Sequence, residues 1–159
     1  MGESRSRAQW FFEGISLLLV IFMFAMVAVH WSQFPDRVPA HYGISGKPNG
    51  WHGKSFLLIL PGIAAVVWIV ITVSQRHPRL INIPFRIDRD SPEVQSVLRN
   101  MMIAEKTTTA LMFAWLMRGM VRTALGRADG IGQWFFPLTL VLIFAPPIVY
   151  LVKLLHLRT

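Results

Sequence analysis

Three histidines and a carboxylate come close together early in the chain: His30, Asp36, His41 and His52. Imidazole and carboxylate are ligands for zinc or copper. None of these histidines has the close spacing of a metal-ligand pair. The preferred reading is therefore no metal and no cofactor, with His30, His41 and His52 as the alternative ligand set. His41, in the run Pro39-Ala40-His41-Tyr42, could also be a ligand or proton carrier at a surface. The favoured role is structural, because a segment this rich in Pro and Gly needs side-chain bonds to close it.

A second group is Glu105, Lys106, Thr109 and Arg118, inside an otherwise apolar stretch. Ionisable groups at membrane depth are functional candidates by default. The competing reading is a buried stripe that holds a bundle together. Glu105 and Lys106 are adjacent and point about 100° apart on a helix, so they do not face each other, whereas Glu105 and Thr109 share a face. Met101, Met102, Met112, Met117 and Met120 read as packing residues. No nucleophile–base pair, phosphate loop or paired carboxylates stand out, so no enzymatic activity is expected. The absence of cysteine excludes disulfides, thiol catalysis and thiolate metal sites.

The elements that must position these groups are membrane helices. Of the 159 residues, 53% are hydrophobic and 15% charged, where a soluble domain carries about 25% charged. Gly14–Val29, Phe56–Val73 and Phe135–Val152 are each apolar with one hydroxyl-bearing exception. With their interfacial ends each approaches the roughly 20 residues that cross a bilayer, and a backbone in lipid must be helical to satisfy itself. Helix one is expected from Trp10 to His30 as a retained signal anchor, bracketed by Trp10 and Trp31, with Glu13 one turn inside and still in reach of water. Helix two is expected over Ser55–Ser74, loosened by Pro61. Helix three, Met101–Val121, either spans with its polar stripe turned into the bundle or lies on the membrane surface; spanning is preferred, with Lys106 and Arg118 near enough to the ends to snorkel. Helix four is expected over Trp134–Leu155, kinked at Pro146-Pro147. Ser91-Pro92-Glu93 reads as a helix start. The fold class is thus all-α: a polytopic protein with four transmembrane helices and a structured loop between the first two. Its parts are a tail (1–9), a two-helix domain (10–75), a basic connector (76–100) and a second helix pair (101–159).

The net charge of +8 follows from basic flanks of membrane helices, and no nucleic-acid motif accompanies it. Counting Lys and Arg places nine on the side of Arg5, Arg7, the connector arginines (Arg79 among them), Lys153 and Arg158, against five on the side of Arg37, Lys47, Lys54, Arg122 and Arg127. That excess puts both termini in the cytoplasm and the loop outside.

The segment from Phe34 to Lys54 is constrained by many Pro and Gly residues, and Asn49-Gly50 signals a tight turn. Asp36 reads as a turn or backbone cap beside Pro35. The run Phe34-Pro35-Asp36-Arg37-Val38-Pro39-Ala40-His41-Tyr42, then Gly46-Lys47-Pro48-Asn49-Gly50-Trp51 and Lys54, resembles the motif of a bacterial family of membrane domains of unknown function. The same domain forms the front part of immunity proteins against the sporulation-delaying peptide toxin. The resemblance covers roughly residues 10–75. Phe34, Gly43 and Asn49 depart from the usual Leu, Asn and Asp, and the later part of the chain shows no likeness to those immunity proteins. It implies a small polytopic membrane protein without catalysis, and in the immunity proteins toxin neutralisation and signalling by sequestering a repressor. From the motif loop and the absence of catalytic groups, the leading expectation is a protein of the bacterial inner membrane that binds a membrane-protein or peptide partner, with the motif residues as the contact surface. The alternatives are an accessory subunit of a respiratory, oxygenase or transport complex, and a small carrier using Glu105, Lys106 and Arg118.

Overall fold

Ser6 starts the first helix. Its hydroxyl accepts the Gln9 N–H (3.2 Å) while the Gln9 side chain accepts the Ser6 N–H (3.0 Å), a reciprocal cap. Helix α1 then runs Arg7–His30. A short 3-10 turn, Trp31–Gln33, leads into an antiparallel hairpin of β1 (Arg37–Tyr42) and β2 (Pro48–Gly53). A second 3-10 turn, Lys54–Leu58, enters α2 (Ile59–Ser74). After a connector come α3 (Pro92–Ala124) and α4 (Phe135–His156). This computed structural model describes residues 5–78 and 81–157. Residues 1–4 of the tail, Arg79 and Arg158 lie outside the described residues.

Three stretches are long and apolar enough to cross a membrane: Arg7–Gln33, Lys54–Ser74 and Phe135–His156. Helix α3 is not one of them, yet it is the centre of the structure. It buries twelve residues where α4 buries three, and it packs against α1, α2 and α4. Helix α1 meets it with a stripe at intervals of three and four: Glu13, Ser16, Val20, Met23 and Val27. The two helices run parallel along their whole common length. Gln9 Nε2 donates to Asn100 Oδ1 at one end (2.8 Å), and Arg127 Nη2 donates to Gln33 Oε1 at the other (3.4 Å). The outward faces of the apolar helices stay exposed, among them Phe11, Leu18, Val66, Ile69, Val141 and Phe144.

The all-α expectation needs one correction. The Phe34–Lys54 segment, expected as a structured loop within an all-helical fold, contains a two-stranded sheet. Its register pairs Arg37 with Gly53, Val38 with His52 and Pro39 with Trp51, then shifts so that His41 meets Gly50. The shift leaves Ala40 as the extra residue, next to Pro39, which has no N–H to give the ladder. Pro61 also acts differently from expectation. It falls in the first turn of α2, where a missing N–H leaves no bond unmade. Helix α4 is continuous through Pro146 and Pro147. Helix α3 begins at Pro92, with Glu93 in its first turn.

The connector also has an order that its prolines conceal. Ile81, Ile83, Phe85 and Ile87 alternate with exposed Asn82, Pro84, Arg86 and Asp88. The apolar set packs with Val94, Leu98 and Leu154 in a small second core under α3 and α4. A period of two is that of extended chain covering a surface on one side.

Candidate functional site: the clamped hairpin and the buried charge centre

The hairpin is held by backbone against backbone. Its turn closes on itself, Gly46 N–H to Gly43 C=O (2.8 Å) and Gly43 N–H to Lys47 C=O (2.9 Å). The Gly46 carbonyl then accepts the Ile131 N–H (2.9 Å) from the α3–α4 loop. Gly46 has φ of 76°, and a Cβ there would meet the Gly132 carbonyl oxygen at 2.4 Å. A Cβ on Gly130 would meet the Gly46 oxygen at 2.1 Å. Neither position has room for a side chain. Ile131 in turn packs on Gly119 of α3, where a Cβ would lie 2.9 Å from its Cγ2. The turn, the α3–α4 loop and the end of α3 therefore form one block.

The remaining motif residues brace this block. His41 Nδ1 and Asn49 Oδ1 are 2.5 Å apart across the two strands. Arg37 donates to the Trp51 carbonyl (3.1 Å). The Asp36 carbonyl accepts the Lys54 N–H (3.2 Å), and the Lys54 ammonium lies over the Trp31 ring at 5.3 Å. Val38 and Pro39 are buried, and Tyr42 lies half-buried beside Thr123 of α3. Burial pushes the Tyr42 phenol up to about 12, an effect the Thr123 hydroxyl partly offsets. Pro35, Ile44, Asn49 and Trp51 face outward, with Ile44 at 89% and Trp51 at 46% exposure, while Pro48 is partly covered.

The three histidines do not converge. His30 Nδ1 lies 2.9 Å from the Met26 carbonyl, His41 meets Asn49, and His52 stacks on Phe56 at 4.9 Å. Among the described residues no group of three His, Cys, Asp or Glu could hold a metal ion.

The second candidate lies at the opposite end of the bundle. The Lys106 ammonium is 1% exposed and has three contacts for its three protons. It donates to Glu13 Oε2 (2.5 Å) and to Thr72 Oγ1 (2.9 Å), and it lies 4.8 Å from the centre of the Trp68 ring. The Thr72 hydroxyl in turn donates to the Trp68 carbonyl (2.7 Å). Trp68 Nε1 donates to Ser16 Oγ (2.9 Å), and Ser16 donates to the Glu13 carbonyl (2.9 Å). The circuit joins α1, α2 and α3. The other Glu13 oxygen faces Arg5 Nη1 at 3.5 Å, an ion pair longer than a good hydrogen bond, and Arg5 also reaches Gln75 Oε1 at 3.4 Å.

Glu13 is the residue that sequence reasoning missed. Its carboxylate turns into the bundle and away from water. The signal was present: a lysine at membrane depth needs a counter-ion, and Glu13 is the only acid in the α1 apolar stretch. Glu105 is half-buried, with Oε2 unpaired among the described residues, beside a cleft of about 160 Å³ that also touches Ser74, Met101 and Pro147. Thr109 is half-buried and Arg118 is exposed. The structure thus brings Lys106 into a centre with Glu13 but leaves Glu105, Thr109 and Arg118 outside it.

Residues 18–65 match the family described as a domain of unknown function, DUF1648. That stretch holds the second half of α1, the hairpin and the start of α2. An uncharacterized protein of the archaeon Archaeoglobus fulgidus is similar, 28% identical over 78 residues. The alignment covers 44% of this chain and 43% of that protein, less than half the length of either. No solved structure matches the chain.

Proposed function

We propose that this is a four-span, non-enzymatic protein of a bacterial inner membrane that binds a peptide or protein partner at its outer hairpin. The observation that carries the reading is a rigid mount with an apolar exposed tip. Glycine contacts fix the turn to the α3–α4 loop, while Ile44 and Trp51 face outward. A fixed backbone presents such side chains at low entropic cost on binding. Aromatic anchors of this kind dominate binding energy at protein interfaces.

Four spans are supported by the pairing of α3 with α1. Whatever thickness α1 crosses, α3 crosses beside it, because the two are bonded near both ends. The hairpin and the α3–α4 loop then share the outer face, and both termini are cytoplasmic by the distribution of Lys and Arg. An immunity-like role and an accessory role in a larger complex are both versions of this reading and differ in the partner. The carrier reading gains nothing from Lys106, whose contacts are filled by Glu13, Thr72 and Trp68.

The test is a photo-cross-linking amino acid at Ile44 in native membranes. A discrete adduct is expected, lost when Trp51→Ala is added. Irradiation that yields only lipid-linked or uncoupled chain overturns the proposal.

A further inference from the structure

We infer that the cleft between α1, α3 and α4 at the termini end binds one anionic phospholipid of the adjacent leaflet. The inference uses the reading of the helices as membrane spans and is independent of what the hairpin binds.

The cleft has a volume of about 410 Å³. It exists because α1 and α4 flank α3 without closing over it. The floor is small: Ala104, Thr107 and Thr108 of α3. Both threonine hydroxyls donate back to carbonyls of their own helix, Thr107 to Ile103 (2.8 Å) and Thr108 to Ala104 (3.1 Å). With their donors used internally, the floor offers a dry, apolar surface, and Phe12 and Tyr150 wall it. At the end nearer the chain terminus the lining turns polar, with Gln9 bonded to Asn100. From Asn100 to Thr108 the helix rises about 12 Å, close to the depth of one leaflet's hydrocarbon.

Charge selects the occupant. The Lys153 ammonium lies 4.8 Å from the centre of the Tyr150 ring, at the cleft wall. Among the described residues no acidic side chain lines the cleft. A groove with an apolar floor about one leaflet deep and the Lys153 ammonium at its wall matches an acyl chain with a phosphate beside that cation. Each basic group near the surface favours an anionic headgroup by roughly five-fold.

Native mass spectrometry of the full chain, with equal amounts of phosphatidylglycerol and phosphatidylcholine as probes, tests this. One phosphatidylglycerol retained per chain is expected, in preference to phosphatidylcholine. Lys153→Gln, an exposed change that leaves the core intact, should reduce that preference roughly five-fold. Ala104→Trp should abolish retention by filling the floor. Equal retention of the two lipids, or no response to Lys153→Gln, overturns the inference. A chain that stays monodisperse without detergent would instead overturn the membrane reading itself.

Discussion

At the scale of single residues, the Lys106–Glu13 pair sets the strongest constraint. A buried ion pair is costly to form, and removing one partner costs more than removing both, because a lone charge is left in an apolar interior. Glu13→Gln and Lys106→Met should each destabilise by about 3–5 kcal/mol. The double variant should recover most of that loss. Thermal unfolding of the detergent-solubilised protein reads this directly; two single losses that simply add would show that the pair is not coupled. The need for a counter-ion to Lys106 was legible in the sequence, but its identity was not. The partners are 93 residues apart, and nothing in local pattern says which acid will arrive. His41 was expected to tie loop backbone to a helix end; it instead meets Asn49 across the two strands.

At the scale of elements, the apolar helices could be read from composition, and the α3 start could be read from Ser91-Pro92-Glu93. The hairpin could not. Pro39 and Pro48 argue against strand, and Gly43, Gly46, Gly50 and Gly53 read as loop, so local propensity opposed the sheet. Tertiary contact decides it: Val38 and Phe34 are buried against the helices, and the turn is locked to the second loop. Gly130→Ala is the sharpest probe of that lock. The added methyl meets the Gly46 carbonyl, so the hairpin must lift. Hydrogen exchange at the Ile131 amide should accelerate by about fivefold, the loss of roughly one hydrogen bond's net worth. Amides in the middle of α1 should be unchanged. Retained protection at Ile131 would mean that the two loops are not interdependent.

At the scale of the whole molecule, the arrangement inverts the usual order of a soluble bundle. The least apolar helix is at the centre, and three apolar helices shield it. The absence of cysteine makes the topology easy to test. Single cysteines replacing Ser45, Asp129 and Asp90 can be labelled by an impermeant reagent on intact cells. Ser45→Cys and Asp129→Cys should react from the same side, and Asp90→Cys only after lysis. Opposite behaviour of the first two would mean that α3 does not cross. A crossing α3 also has a consequence for how the chain is made. It leaves the ribosome after α1 and α2, carrying Glu105, Lys106 and Arg118; a Lys or Arg costs about 2.5–3.5 kcal/mol at the middle of a solitary inserting helix. By then α1 has already delivered Glu13, and α4 is still to be translated. The order of synthesis therefore places the counter-ion before α3 and leaves the shielding by α4 until after it, so that a chain truncated near residue 124 would hold its most polar helix half uncovered.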